Sequence, residues 1–294
     1  MLEKLTTELR NPNSLDLDQK SIREILELMN REDATIPLAI REVLDKIEIV
    51  VNYVVQAFQN GGRLIYAGAG TSGRLGILDA SECPPTFGVD KNLVQGIIAG
   101  GLKAVTDAIE GAEDNEQAGG EDLKKVSLTN KDVVIGIAAS GRTPYVIGAL
   151  KYAKEIGAKT ASISNNANSK IGEIADVAIE VVTGPEIITG STRLKAGTAQ
   201  KLVLNMISTT SMIKIGKVYE NLMVDVQPTN KKLIERSKKI IMEATGVDYG
   251  TAETYFEKAN HQVKVAIVMI LLNCSYDEAK LKLEDAQGFI RNTI

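Results

Sequence analysis

The sequence predicts an α/β protein in which a parallel sheet is covered by helices on both faces. Five short runs made mainly of apolar or small residues alternate with helical segments, which is typical of buried parallel strands. The polar residues 1–35 contain one short helical pattern, near 19–31, and no strand pattern follows residue 195. We therefore expect an N-terminal helical arm (1–47), a sheet domain (48–226) and a small helical C-terminal module (230–294).

The elements follow from local patterns taken in order along the chain. Apolar residues recur at helical spacing from Ile36 to Asn60, and Gly61-Gly62 ends that helix. The predicted strands are 63–67, 94–99, 132–138, 159–164 and 177–182. Pro144 suits the first turn of a helix over 144–156, since its missing N–H needs no partner there. A long helix is predicted over 197–217, and three or four helices follow the boundary at Pro228.

Composition narrows the class of protein. Hydrophobic residues make up 44% of the 294 residues, which is enough for a core, and the net charge of −4 argues against a nucleic-acid surface. No run approaches the roughly 18 apolar residues of a membrane span, and the first residues do not resemble a secretory signal. We therefore expect a cytoplasmic protein that binds neither membrane nor nucleic acid.

The small number of cysteine and histidine residues argues against a metal site and against a Ser-His-Asp catalytic triad. The two cysteines lie far apart in the sequence and there is a single histidine, so no metal site is expected. Cys83 either packs in the core or lines the site, and core packing is favoured. His261 is expected at a helix start, in a surface or capping role.

Two similar segments follow predicted strands and suit the binding of a phosphate. These are Thr71-Ser72-Gly73-Arg74 and Ala139-Ser140-Gly141-Arg142, the second of which is followed by Thr143. Ligands of open parallel sheets bind outside the carboxyl ends of the strands, where glycine, hydroxyl groups and helix N-termini form anion cradles. The segment 68–73 also fits the Gly-x-Gly-x-x-Gly spacing of dinucleotide-binding loops. However, the next strand lacks the acidic residue that such loops need at its end.

Two carboxylate clusters accompany these loops, and each comes after a predicted strand. One contains Glu82, in Glu82-Cys83-Pro84-Pro85, and the other contains Glu110, Glu113 and Asp114. Two carboxyl groups at one phosphate-anchored ligand are suited to general acid–base catalysis on a sugar phosphate. If 110–113 is helical, Glu110 and Glu113 share a face, while Asp114 is more consistent with a solvated helix start.

The same residues resemble the bacterial N-acetylmuramic acid 6-phosphate etherases, and the likeness covers nearly the whole chain. It is carried by Gly-Ala-Gly-Thr-Ser-Gly-Arg-Leu-Gly at 68–76 and by residues 79–85, 110–114, 139–145, 192–201, 221–226 and 288–291. The resemblance implies a sugar-isomerase (SIS-type) domain with a small helical module, a homodimer, and no metal or organic cofactor. It also implies an enzyme that removes D-lactate from N-acetylmuramic acid 6-phosphate and leaves N-acetylglucosamine 6-phosphate.

The resemblance assigns catalysis to Glu82 and Glu113, and phosphosugar binding to Ser72 and residues 140–143. In the open-chain sugar the aldehyde acidifies the C2 proton, and the lactyl ether lies β to the carbonyl. We assign Glu113 as the base at C2 and Glu82 as the acid that protonates the ether oxygen, although the roles could be exchanged. Glu110 is expected to tune the base or bind a sugar hydroxyl.

Other readings stay open at the level of sequence. Glu186, Arg193 and Lys195 lie after the last strand and either contact the ligand or, for Lys195, pair with carboxylates. A regulator of glucokinase resembles the same family, so a non-catalytic sugar-phosphate sensor is one alternative, although duplicated domains would be expected for it. An aldose–ketose isomerase is another, but it would need no acid at C3.

Overall fold

The structure, a computed structural model, describes residues 5–228 and 230–294. Two compact units are present: Met1–Ala80 with Asn92–Ser208, and Ser81–Lys91 with Thr209–Ile294. The helices of the described residues are α1 (Ile22–Asp33), α2 (Ile36–Arg41), α3 (Leu44–Gln59), α4 (Gly70–Phe87), α5 (Lys103–Thr106), α6 (Glu116–Lys125), α7 (Pro144–Ile156), α8 (Lys170–Ile174), α9 (Lys195–Lys214), α10 (Lys231–Thr245), α11 (Tyr249–Lys258), α12 (Val263–Leu272) and α13 (Tyr276–Asp285).

A five-stranded parallel sheet forms the centre of the first unit, as predicted. Its strands are β1 (Leu64–Gly68), β2 (Val94–Ile98), β3 (Val133–Ile137), β4 (Lys159–Ser164) and β5 (Val177–Glu180), in the order β2-β1-β3-β4-β5. All residues of β1 and β3 are buried, which explains why these runs are apolar throughout. The order reverses direction between β1 and β3, so the carboxyl ends of these two strands flank the crevice where ligands of such sheets bind.

Helix α7 shows how local signals set its ends. It begins at Pro144, in the first position, and Gly157 follows its last residue in the left-handed conformation at φ 82°. Proline needs no hydrogen-bond acceptor in the first turn, and glycine adopts positive φ without steric cost. The predicted span 144–156 is confirmed.

Close contact between α6 and α7 depends on two glycines. A Cβ atom built on Gly148 would lie 1.7 Å from the carbonyl oxygen of Glu116, and one on Gly119 would lie 2.0 Å from that of Tyr145. The Tyr145 hydroxyl also donates to Asp122 Oδ2 over 2.8 Å. The backbones of α6 and α7 therefore meet at a distance that only glycine permits.

An arginine secures the edge of the sheet where the strands begin. Arg63 donates through Nη2 to Asp132 Oδ2 over 2.7 Å, and through Nη1 and Nη2 to the carbonyls of Val126 and Ser127, each over 2.9 Å. Burial alone would raise the pKa of Asp132, but hydrogen bonds from Arg63 and Thr129 outweigh it and lower the pKa. Arg63 therefore fixes the loop between α6 and β3.

The N-terminal arm is fastened to the sheet by side-chain amides. Asn166 accepts from Thr6 Oγ1 over 2.9 Å and donates to Thr7 Oγ1 over 3.0 Å. Asn11 donates to Glu32 Oε2 over 2.8 Å, and the Ser14 hydroxyl donates to the carbonyl of Ile187 over 2.8 Å.

Helix α1 begins at Ile22, three residues later than the pattern near 19–31 indicates. Ser21 and Glu24 form a capping box, in which each side chain bonds to the other residue's backbone N–H. The capping box accounts for the start at Ile22.

The second unit corrects one expectation. Its core is formed by α10 to α13, within the three or four helices expected after Pro228, and includes the wholly buried Ile241 and Ala266. The expectation that no strand follows residue 195 is wrong, because β6 (Val218–Tyr219) and β7 (Leu222–Met223) pair antiparallel. Each strand has two residues, too few to show an alternating pattern.

Candidate active site

The first predicted phosphate loop is largely helical. Helix α4 begins at Gly70, so Ser72 and Gly73 lie in its first turn and not in a loop. A Cβ atom on Gly73 would lie 2.5 Å from Ile98 Cγ1 and 2.8 Å from the carbonyl oxygen of Gly68. Because Gly73 has no side chain, the first turn of α4 can pack closely against β1 and β2.

Ser72 belongs to a buried chain of hydrogen bonds at the same edge of the sheet. Its hydroxyl donates to Gln200 Oε1 over 2.9 Å, and Gln200 donates to Asn165 Oδ1 over 3.0 Å. Asn165 in turn donates to the carbonyl of Val181 over 3.1 Å. The sequence reasoning missed Gln200, Asn165 and Asn166, although the two asparagines follow β4 directly and the site was expected at strand ends.

The second predicted loop, residues 140–143, lies between β3 and α7. Gly141 has φ 69°, and a Cβ atom there would lie 2.4 Å from that of Ser169, so glycine is required on both counts. Thr143 is the N-cap residue of α7, yet its hydroxyl makes no capping hydrogen bond. Arg142 Nε is buried and bonds to no atom of the described residues. A buried guanidinium N–H without an acceptor is unusual and suits an anionic ligand.

Glu110 and Glu113 line one cleft at the carboxyl ends of β1 and β2. The cleft encloses about 320 Å³. Its lining residues are Ala69, Gly70, Arg74, Ala99, Ala104, Asp107, Ala108, Ile109, Glu110, Gly111, Ala112 and Glu113.

The two glutamates do not share a helical face, contrary to one expectation. Gly111 has φ 71°, and a short 3₁₀ turn, Ala112–Asp114, follows it. Both carboxylates are exposed to solvent at the cleft.

Glu82 lies in the middle of a helix. It is exposed on α4 and belongs to the second unit, whereas Glu113 belongs to the first. The pairing of the two carboxylates stays a prediction. The neighbouring Cys83 is 2% exposed, which agrees with core packing.

Lys195 pairs with a carboxylate, one of its two expected roles. Its Nζ donates to Glu32 Oε2 over 2.8 Å, and both side chains are largely buried. The Glu186 carboxylate accepts from the backbone N–H groups of Lys195 and Ala196 over 2.8 and 2.9 Å, at the start of α9. Burial raises the pKa of Glu186 despite these bonds, whereas hydrogen bonds from Lys195, Asn13 and Asn11 overcome burial and lower the pKa of Glu32. Arg193 is exposed.

The single histidine takes a surface role. His261 stacks on Phe256 at 4.8 Å between ring centroids, and its Nε2 lies 3.0 Å from Glu257 Oε2. It lies between α11 and α12 in the left-handed conformation at φ 63°.

Two broader features bear on the class of protein. Among the described residues, no cluster of three potential metal ligands is found. None of the helices in 5–228 and 230–294 combines the length and apolar composition needed to cross a bilayer.

Comparisons with known proteins agree with this fold. The model of the glucokinase regulatory protein N-terminal SIS domain matches residues 46–154, and the SIS domain model matches residues 116–209. A solved structure from Bacteroides fragilis, provisionally assigned as a phosphosugar isomerase involved in capsule formation, has a TM-score of 0.54 at 17% identity and covers 68% of this chain and 95% of its own. The parallel sheet is that of an SIS-domain protein.

Curated relatives narrow the family. An N-acetylmuramic acid 6-phosphate etherase of Oceanobacillus iheyensis is 67% identical, and one of Bacillus cytotoxicus is 66% identical. Both alignments cover all of this chain and all of the relative. The chain belongs to the N-acetylmuramic acid 6-phosphate etherase family.

Proposed function

We propose that this enzyme cleaves the D-lactyl ether of N-acetylmuramic acid 6-phosphate, giving N-acetylglucosamine 6-phosphate and D-lactate. The similarity to etherases over the full length of the chain is the observation that carries this proposal. The cleft lined by Glu110 and Glu113, at the ligand-binding edge of the sheet, is consistent with it.

The reaction needs a base and an acid because an unassisted alkoxide is a poor leaving group. In the open-chain substrate the C1 aldehyde acidifies the C2 proton. Glu113 removes that proton, and Glu82 protonates the ether oxygen as the C3–O bond breaks. The ether oxygen therefore leaves as the neutral hydroxyl group of lactate. Water then adds to C3 of the unsaturated aldehyde, with Glu82 taking one of its protons, and C2 is reprotonated.

The phosphate is proposed to bind at residues 140–143. Three features support this. The hydroxyl of Thr143 makes no capping hydrogen bond, Nε of Arg142 is buried without an acceptor among the described residues, and the N-terminus of α7 lies next to the loop. Backbone N–H groups at a helix N-terminus and a guanidinium both favour a phosphate group. Ser72 and Gly73, in the first turn of α4, are proposed to support the sugar from the neighbouring strand end, and Glu110 to bind a sugar hydroxyl.

The phosphate site is testable through two hydroxyl groups. Ser140→Ala combined with Thr143→Val is expected to raise KM at least tenfold while kcat changes little, because a hydrogen bond to a charged group contributes about 1.5–3 kcal/mol. Steady-state kinetics and thermal melting are the measurements. Thr254→Val is the matched control, since its hydroxyl bonds only to the carbonyl of Gly250. Unchanged KM and kcat in the double variant would place the phosphate elsewhere.

Release of lactate distinguishes the proposed etherase from its rivals. The purified chain is mixed with N-acetylmuramic acid 6-phosphate, and D-lactate is measured with time. An isomerase acting on this substrate would change the sugar without releasing lactate, and a sensor would bind the sugar without turnover. Absence of lactate at an enzyme concentration that binds the substrate would refute the etherase function.

The active form is proposed to be a homodimer whose partner covers part of the sugar site. Leu102 supports this, because it is 84% exposed although it follows β2 close to cleft residues Ala99 and Ala104. Two-fold dimers are the commonest homo-oligomers, and a partner on this surface would cover Leu102. Light scattering is expected to give twice the chain mass, and specific activity should fall as dilution dissociates the dimer. A fully active monomer would contradict the proposal.

A further inference from the structure

Arg74 holds a distinctive position in the cleft that contains Glu113. Of the described residues that line this cleft, Arg74 is the one with a cationic side chain, whereas Asp107, Glu110 and Glu113 contribute carboxylates. Its side chain is partly buried. An anionic ligand entering the cleft would therefore meet three negative charges and a single positive charge.

The guanidinium of Arg74 is held in place by main-chain groups and not by the carboxylates. Nε donates to the carbonyl of Val105 over 2.9 Å, and Nη2 donates to the carbonyl of Asp107 over 3.0 Å. Two acceptors fix the plane of the group, since guanidinium donors lie in a rigid fork. Nη1 hydrogen-bonds to no atom of the described residues, so two N–H donors of a fixed cation stay available to a ligand.

The proposed substrate carries a second anion besides its phosphate. The lactyl group ends in a carboxylate, two bonds from the ether oxygen that must be protonated. When Glu113 is placed at C2, the lactyl group at C3 lies within a few ångströms of the same cleft. A carboxylate there is repelled by Asp107, Glu110 and Glu113, and a cation is needed to compensate for this repulsion.

We propose that Arg74 binds the lactyl carboxylate through Nη1 and thereby selects substrates that carry an acidic ether substituent. This inference rests on the proposed etherase function and on Glu113 acting at C2. Because the two main-chain carbonyls already order the guanidinium, little side-chain entropy is lost on binding. The charge-assisted hydrogen bond is then available both to the bound ether and to the departing lactate.

A pair of substrates tests the inference. One is N-acetylmuramic acid 6-phosphate, and the other is its lactyl carboxamide, which has the same shape but no charge. The wild-type enzyme is expected to cleave the carboxamide with a kcat/KM roughly 10- to 100-fold lower, as loss of a hydrogen bond between charged groups predicts. Arg74→Gln should lower kcat/KM for the acid by a similar factor and leave the carboxamide almost unaffected, so that the preference disappears.

A second arginine offers a matched control. Arg63 also holds two main-chain carbonyls, those of Val126 and Ser127, but at the opposite edge of the sheet. Arg63→Lys is expected to lower the melting temperature and to leave the preference for the acid intact. Arg74→Lys keeps the charge and should retain part of the preference, which serves as a second variant if Arg74→Gln folds poorly.

The possible outcomes separate this inference from the proposed function. If the wild type releases lactate equally well from both substrates, or if Arg74→Gln slows both by the same factor, the carboxylate is not bound by Arg74 and the etherase function stands. If the wild type releases no lactate from the acid, the proposed function fails and this inference fails with it. Inhibition by N-acetylglucosamine 6-phosphate, which lacks the lactyl group, should be unchanged in Arg74→Gln.

Discussion

Glu113→Gln is expected to abolish both lactate release and exchange of the C2 proton with deuterated water. A base at C2 is needed for either process, and removing a general base typically lowers the rate by about 10²–10⁴-fold. Lactate release is followed by a coupled assay and exchange by NMR. Asp114→Asn is the matched control, because Asp114 is an exposed neighbour in the same 3₁₀ turn but does not line the cleft. It should retain wild-type rates for both.

Glu82→Gln separates the two roles. If Glu82 is only the acid, lactate release should stop while some exchange at C2 persists, because carbanion formation does not require a protonated leaving group. Without Glu82 the ether oxygen would have to leave as an unprotonated alkoxide. We therefore expect the rate of lactate release to fall by a factor near the upper end of the range given for Glu113→Gln. Exchange that is lost in Glu82→Gln but kept in Glu113→Gln would reverse the assignment, and full etherase activity in either variant would exclude the two-carboxylate mechanism.

Gly148→Ala is expected to destabilise the first unit severely. The new methyl group would lie 1.7 Å from the carbonyl oxygen of Glu116, and a backbone atom cannot move away as a flexible side chain can. Overpacking costs typically about 1–3 kcal/mol, and a clash this close with a backbone atom should reach at least the upper end of that range, which outweighs the roughly 1 kcal/mol that alanine gains over glycine in a helix. The net cost of about 2 kcal/mol or more should lower the melting temperature by at least about 4–8 °C.

The matched control for this prediction is Gly250→Ala in α11. There the nearest atom to a new Cβ is Asp248 Oδ1, at 3.3 Å, on a side chain that can adjust. A neutral or slightly stabilising effect is expected, since alanine is the better helix former. Equal melting temperatures for Gly148→Ala and wild type would mean that α6 and α7 separate easily. The contact also bears on activity, because Glu113 lies in the turn just before α6.

Much of the fold could be predicted because its signals are local. Five short runs that alternate with helical segments predicted the five parallel strands, and Pro144 predicted the start of α7. The start of α4 was predicted wrongly because Gly70 and Gly73 were taken for a loop. At Gly73 the need is for close packing against Ile98, which arises from tertiary structure and not from local conformation.

At the candidate site, too, features set by neighbouring residues could be predicted, whereas contacts between residues far apart in the sequence could not. The loop at 140–143 was predicted because a glycine and two hydroxyls follow a strand directly, and the structure places it at the expected edge of the sheet. The partner of Lys195 was not predictable, because Glu32 lies 163 residues away in the sequence. The same holds for Ser72 and Gln200, 128 residues apart, whose hydrogen bond exists only once α4 and α9 have come together.

The attachment of the N-terminal arm has a consequence for synthesis on the ribosome. Thr6 leaves the ribosome early, but its partner Asn166 is made 160 residues later. At about 5–20 residues per second, the arm waits roughly 8–32 seconds for the surface that receives it. During this interval the capping box of Ser21 and Glu24 can support α1 locally, yet the apolar Leu28, buried in the finished fold, has no core to enter. The arm therefore makes this contact with the sheet domain only after β4 and Asn166 have been synthesised.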